Sequence, residues 1–71
     1  MAIAANPSAL DALRVALEIE IRSHRLYRTA AQETADEHGK QMYTWLAGAE
    51  ISHFNLLMSN YESLVATGGW I

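Results

Sequence analysis

From Leu10 onward the chain places a seam residue at alternating steps of three and four: Leu10, Leu13, Leu17, Glu20, His24, Tyr27 and Ala31. That spacing keeps one line of side chains on one face of an α-helix; a strand would alternate every second residue instead. No proline or glycine interrupts residues 8–35, so one helix is expected over about 8–35. Asn6-Pro7-Ser8 supplies its start: either Asn6 caps with Pro7 at the first helical position, or Ser8 caps with Asp11 three residues on. The polar stretch from Thr34 to Lys40 carries Gly39 and is expected to turn the chain, at about 36–40, with Asp36 as the cap of a second helix. That helix is expected over about 40–66, with the seam Tyr43, Leu46, Glu50, His53, Leu57, Asn60 and Leu64 and a stop at Thr67-Gly68-Gly69. The expected fold is all-α, a long antiparallel helical hairpin.

Size then raises a difficulty. The chain has 71 residues and no cysteine. Below roughly 70–80 residues one core seldom contributes more than ~3–5 kcal/mol, and without disulfides the remaining supports are a metal or oligomerisation. Apolar residues make up 51% of the chain, too many for one seam per helix. A second stripe runs through Ala12, Val15, Ile19, Leu26 and Ala30 in the first helix, and another through Ile51, Phe54, Met58, Tyr61 and Val65 in the second. A lone hairpin leaves such stripes in water, whereas two hairpins pairing as a homodimer into a four-helix bundle cover them.

Charge narrows the partners. Five basic against eight acidic residues give a net charge of −3, which offers no general attraction for nucleic acid or an anionic membrane. No apolar run approaches the ~18 residues of a bilayer span, and Met1 to Ser8 lacks the pattern of a signal peptide. The expectation is a soluble, cytoplasmic protein.

Three polar residues interrupt the seams: Glu20 between Leu17 and Tyr27, and Glu50 with His53 between Leu46 and Leu57. A carboxylate taken out of water costs several kcal/mol unless something compensates it. A metal ion compensates it directly. Residues three apart on a helix are neighbours, so Glu50 and His53 project toward one point. One Glu-x-x-His helix facing a lone glutamate is half of a di-iron carboxylate ligand set, and a symmetric dimer supplies the other half. Four carboxylates from two chains then balance two divalent ions. Mixed carboxylate and imidazole ligands suit iron, with manganese and zinc as alternatives. The zinc-protease motif is excluded, because Ala49 stands where its first histidine belongs.

Other residues carry weaker signals. His24, one turn beyond Glu20, is either an additional ligand or a hydrogen-bonded core histidine, the second being commoner. Tyr27, two turns from Glu20, is placed to hydrogen-bond a carboxylate or simply to pack. His38 belongs to the turn and should face solvent. Met42, Trp45 and Met58 read as packing residues. Arg14, Arg22, Arg25, Arg28, Glu18 and Glu62 fall off the seams and read as a solvated face.

With these residues in view, the chain resembles the rubrerythrin-type ferritin-like proteins. Ala16 to Gln32 is similar to the first helix of that family, where a ligating glutamate precedes a tyrosine by seven residues, here Glu20 and Tyr27, and small residues come next, here Ala30-Ala31. Met42 to Leu57 is similar to the family's Leu-Ala…Glu-x-x-His helix, matched by Leu46, Ala47, Glu50 and His53. The resemblance covers about residues 9–66 and makes 1–71 a single half-ferritin-like unit, since the family commonly has four helices in one chain. It implies Glu20, Glu50 and His53 as ligands of two iron ions per dimer, which react with peroxide or dioxygen and oxidise Fe(II). That points to a rubrerythrin-like peroxidase or a ferroxidase. The family's rubredoxin-like iron site needs cysteines that this chain lacks, so any electron donor would be external. Gly48 and Ala49 depart from residues often acidic or polar in the family, and Gly48 would let another helix approach closely. A different class of reading also stands: a non-catalytic hairpin dimerisation module with a buried Glu/His network that fixes register.

Overall fold

A computed structural model of the chain describes residues 5–71, with side chains from residue 9 onward. It is an antiparallel hairpin of two long helices, α1 (Ala5–Glu33) and α2 (Glu37–Thr67), in a rod of 50 × 19 × 12 Å. The first helix is already helical at Ala5, so Pro7 sits within its first turn, where a missing N–H leaves no hydrogen bond unmade. The expected capping by Asn6 or Ser8 concerns side chains outside those described.

The turn is shorter and earlier than the sequence suggested. It consists of Thr34, Ala35 and Asp36, and α2 begins at Glu37 rather than near residue 40. Asp36 is the reason. Its backbone is extended, and one carboxylate oxygen accepts from the backbone N–H groups of His38 (2.8 Å) and Gly39 (3.0 Å). That bond pair draws the polar segment into the first helical turn, so Gly39 belongs to the helix and not to a loop. Thr34 closes α1 through its N–H to the Ala30 carbonyl, and its hydroxyl accepts from the Asp36 N–H at 3.1 Å.

At the far end Gly68 takes the left-handed conformation, φ 78°, and its N–H donates to the Leu64 carbonyl. A side chain is strained at such a φ, which is why glycine ends the helix there. The last residues fold back on α2: the Ser63 hydroxyl donates to the Gly69 carbonyl (2.6 Å), and the Ile71 N–H donates to Asn60 Oδ1 (3.0 Å).

The core between the helices is thin. Its buried apolar members are Leu13, Leu17, Ala31 and Ala47. Val15, Ile19 and Leu26 of α1 are exposed, as are Met42, Trp45, Ile51, Leu56 and Val65 of α2. The sequence placed Phe54, Met58 and Tyr61 on an outer stripe with Ile51 and Val65, but these three are half-buried. The packed face of α2 is centred on Leu46, Ala47, Glu50, Phe54, Leu57 and Tyr61, turned slightly from the heptad seam. At about 100° per residue, the exposed α2 residues on the same side of the hairpin as Val15, Ile19 and Leu26 are Met42, Trp45 and Leu56. Ile51 and Val65 lie on the opposite side.

Candidate metal centre

Glu20 of α1 and Glu50 and His53 of α2 come together midway along the hairpin. Each offers a ligand atom, and these atoms all lie within 4.8 Å of one another. His53 Nδ1 is 3.5 Å from Glu50 Oε1 and 3.7 Å from Glu20 Oε2. Ligand atoms each about 2.1 Å from one ion stand about 3.0–3.4 Å apart in octahedral or tetrahedral geometry, so the two His53 distances lie within a few tenths of an ångström of that range.

The three residues differ in burial. Side-chain exposure is 17% for Glu20 and 14% for Glu50 but 56% for His53. Heptad spacing put His53 on the seam; the structure puts it at the rim, because the packed face of α2 has turned toward Ala47 and Phe54. It faces the side that carries Val15, Ile19, Leu26, Met42, Trp45 and Leu56. A groove on that side is lined by Trp45, Gly48, Ala49, Ser52 and His53. A Cβ added to Gly48 would meet nothing within 4 Å, so the glycine answers no need of the hairpin's own packing.

Glu20 is electrostatically strained. Its Oε2 is buried and has no hydrogen-bond partner. The Glu20 pKa is raised above its ordinary value of 4.5, first by the Glu50 carboxyl, to which a protonated Glu20 would donate, then by burial, then by repulsion from the Glu50 charge; His53 pulls in the opposite direction. Two carboxyls facing each other in a dry seam favour a proton between them. A divalent cation satisfies the same two groups more fully, and the donor set of two carboxylates and one imidazole fits one.

The remaining sequence candidates separate cleanly. His24 is not part of the three-residue group. Its Nδ1 lies 3.0 Å from the Ala47 carbonyl, so this nitrogen carries the proton and donates across the hairpin. That is the cross-hairpin hydrogen bond of a core histidine, and His24 lies outside the three-residue group. Tyr27 is half-buried and, among the described residues, makes no hydrogen bond to a carboxylate. His38 is exposed, as expected of its position. Trp45, at 68% exposure, and Met42, at 56%, read from sequence as packing residues, are largely exposed in the hairpin; Met58 is half-buried. The sequence offered no sign of the Ala47 carbonyl as His24's partner, since a backbone acceptor has no residue signature.

Compared with protein-family models, curated proteins and solved structures, the chain matches none. The comparisons thus assign the chain to no family. No helix among the described residues is long and apolar enough to cross a membrane.

Proposed function

We propose that this chain is half of a di-iron carboxylate protein that oxidises Fe(II) with dioxygen or peroxide, its site completed when two hairpins pair. The observation that carries the proposal is the buried, unpartnered Glu20 Oε2 facing Glu50 and His53 in an otherwise apolar seam. Leucine at position 20 would stabilise the hairpin alone better than an uncompensated carboxylate.

Pairing is supported by the location of His53. It lies on the side where α1 and α2 both expose apolar side chains, so a second hairpin covering them would bring its own Glu20, Glu50 and His53 to the first set. Glu20 and Glu50 would hold two ions from the protein interior, and His53 would ligate through Nδ1, the nitrogen nearest both carboxylates. Iron supplies the electrons that reduce the oxidant. Glu20, Glu50 and His53 would hold the ions, and the apolar side chains around His53 would exclude bulk water once covered. Manganese or zinc could occupy the same donors, and an external donor would re-reduce the site.

A second reading has one observation in its favour. Glu20 and Glu50 can hold a proton between them without any metal, which is the arrangement of a register-fixing network in a non-catalytic dimerisation module. Metal analysis of the purified protein distinguishes the two. About one iron or manganese per chain, lost in Glu50→Ala and His53→Ala, together with Fe(II)-dependent oxygen or peroxide consumption, supports the di-iron reading. A folded, associated protein that takes up no Fe(II), Mn(II) or Zn(II) overturns it.

A further inference from the structure

The side of the hairpin opposite His53 is also unpaired, and its charges follow an order. Toward the turn, a groove of about 340 Å³ is lined by Arg25, Arg28 and Gln32 together with Ile21, and it adjoins another of about 260 Å³ lined by Arg28, Gln32 and Lys40. Neither lining contains a carboxylate. Midway along the rod, Ile21, Ile51 and Phe54 line a recess of about 180 Å³ whose inner wall includes Glu20 and His24. Beyond it, toward the open end, come Glu18 and Glu62, together with Arg14, whose charge Asp11 pairs at 3.1 Å.

The spacing of these residues is symmetric. On α2, Ile51 is eleven residues from Lys40 and eleven from Glu62. Eleven residues make about three helical turns, so all three lie close to one stripe, with Lys40 and Glu62 each about 16 Å from Ile51 at 1.5 Å per residue. On α1, Ile21 has Glu18 one turn before it and Arg25 one turn after. Ile21 and Ile51 are both about half-exposed, and among the described residues Arg25, Lys40, Glu18 and Glu62 have no ion-pair partner.

We infer that this side is an interface for a second copy of the chain, joined by a two-fold axis through the Ile21 and Ile51 level. Helices of the two copies run antiparallel, α1 over α1 and α2 over α2. Lys40 of each copy then meets Glu62 of the other, Arg25 meets Glu18, and the isoleucines pack at the centre. The alternative two-fold pairing, with its axis along the rod, sets turn end against turn end and like charge against like charge. Burial of the isoleucines supplies the attraction, and the charges select the orientation, because exposed ion pairs are individually worth little. The contact is isologous, since each copy offers the same complete pattern. It lies on the side opposite His53, and although Glu20 and His24 line its central recess, the charge pattern that orients the two copies does not involve the metal group.

Two charge-reversed proteins test it, with every changed residue exposed and off the metal group. Lys40→Glu with Arg25→Glu makes the four pairing positions all acidic, leaving Arg28 as the base in the turn-end grooves; Glu62→Lys with Glu18→Lys makes those four positions all basic. Sedimentation velocity and native mass spectrometry at low salt should show each variant, at unchanged helicity and metal content, with at most half the assembly mass of the wild type. Mixing the two should restore the wild-type mass. If the His53 side also pairs, the fall is from a larger even-numbered assembly to a dimer; if it does not, the fall is from dimer to monomer. Either fall supports the interface, so failure of the metal reading leaves the test intact. Wild-type mass in both variants, or no restoration on mixing, overturns it.

Discussion

His24 Nδ1 donates to the Ala47 carbonyl across the hairpin at 3.0 Å, and this bond sets the level at which Glu20 meets Glu50. Glu20 lies four residues before His24 on α1, and Glu50 three residues after Ala47 on α2. The helices run antiparallel, so those two steps move along the rod in the same direction and by similar amounts, about 6 and 4.5 Å at 1.5 Å per residue. Apolar contacts between two smooth helical faces tolerate sliding, whereas a hydrogen bond from a half-buried ring does not. His24 is thus a positioning residue that holds the two carboxylates face to face.

His24→Ala should lower stability by about 1 kcal/mol, the net value of one such hydrogen bond, and reduce metal affinity by more than that loss alone explains. His24→Asn retains a side-chain donor near the Nδ1 position and should recover part of both. Thermal melts at fixed protein concentration, with and without Mn(II), measure the two effects separately. Equal loss of stability with unchanged metal affinity in His24→Ala would show the bond to be structural only.

Glu20 makes the metal-free protein sensitive to pH in an unusual direction. Its folded pKa is raised above the ordinary 4.5, so the folded chain binds that proton more tightly than the unfolded chain. The contribution to stability is fully present below pH ~4.5 and disappears as pH rises through the raised value. Glu20→Gln mimics the protonated group at every pH. Metal-free Glu20→Gln should therefore melt above the wild type at neutral pH, the gap narrowing as acid is added, in calorimetric scans from pH 4 to 7.5. A constant gap would remove the carboxyl pair as its cause.

Much of this was legible from residue order, for identifiable reasons. Uninterrupted three–four spacing has one common structural solution, so both helices and their antiparallel packing came with it, as did the meeting of Glu20 with Glu50. The turn was misplaced because Gly39 was given its usual meaning as a breaker, while the Asp36 carboxylate that bonds the His38 and Gly39 N–H groups made it the third residue of a helix. The exposure of His53 was hidden for another reason. A heptad seam fixes a line of residues but not the rotation of a helix about it, and small Ala47 allowed α2 to turn its Phe54 side inward. Met42 and Trp45, read as packing residues, also lie exposed on that open side.

Metal uptake should release protons. Where the Glu20–Glu50 pair holds its proton, a cation must displace it, so affinity falls as pH falls through the raised Glu20 value. Titration calorimetry with Mn(II) in two buffers of different ionisation enthalpy should give a proton release that is larger at pH 5.5 than at pH 7.5. Glu20→Gln should abolish most of that difference, and His53→Ala should weaken binding at least tenfold at both pH values. Proton release independent of pH would separate binding from the carboxyl pair.

Gly48 offers a test whose two arms have opposite signs. Nothing lies within 4 Å of the Cβ that alanine would add, and the residue sits in the interior of α2, where glycine is about 1 kcal/mol less favourable than alanine. Judged by the hairpin alone, Gly48→Ala and Gly48→Leu should both raise helicity. Judged by pairing on the His53 side, the bare backbone between Trp45 and Ser52 is where a helix of the second hairpin approaches, and a leucine there would hold it off. Gly48→Leu should thus be at least as helical as the wild type by circular dichroism at high concentration, yet dissociate at tenfold or higher protein concentration and lose metal with the dissociation. Gly48→Ala should fall between them. Greater helicity with undiminished association in Gly48→Leu would mean that the second hairpin does not approach over this groove, and the shared metal centre would need another geometry.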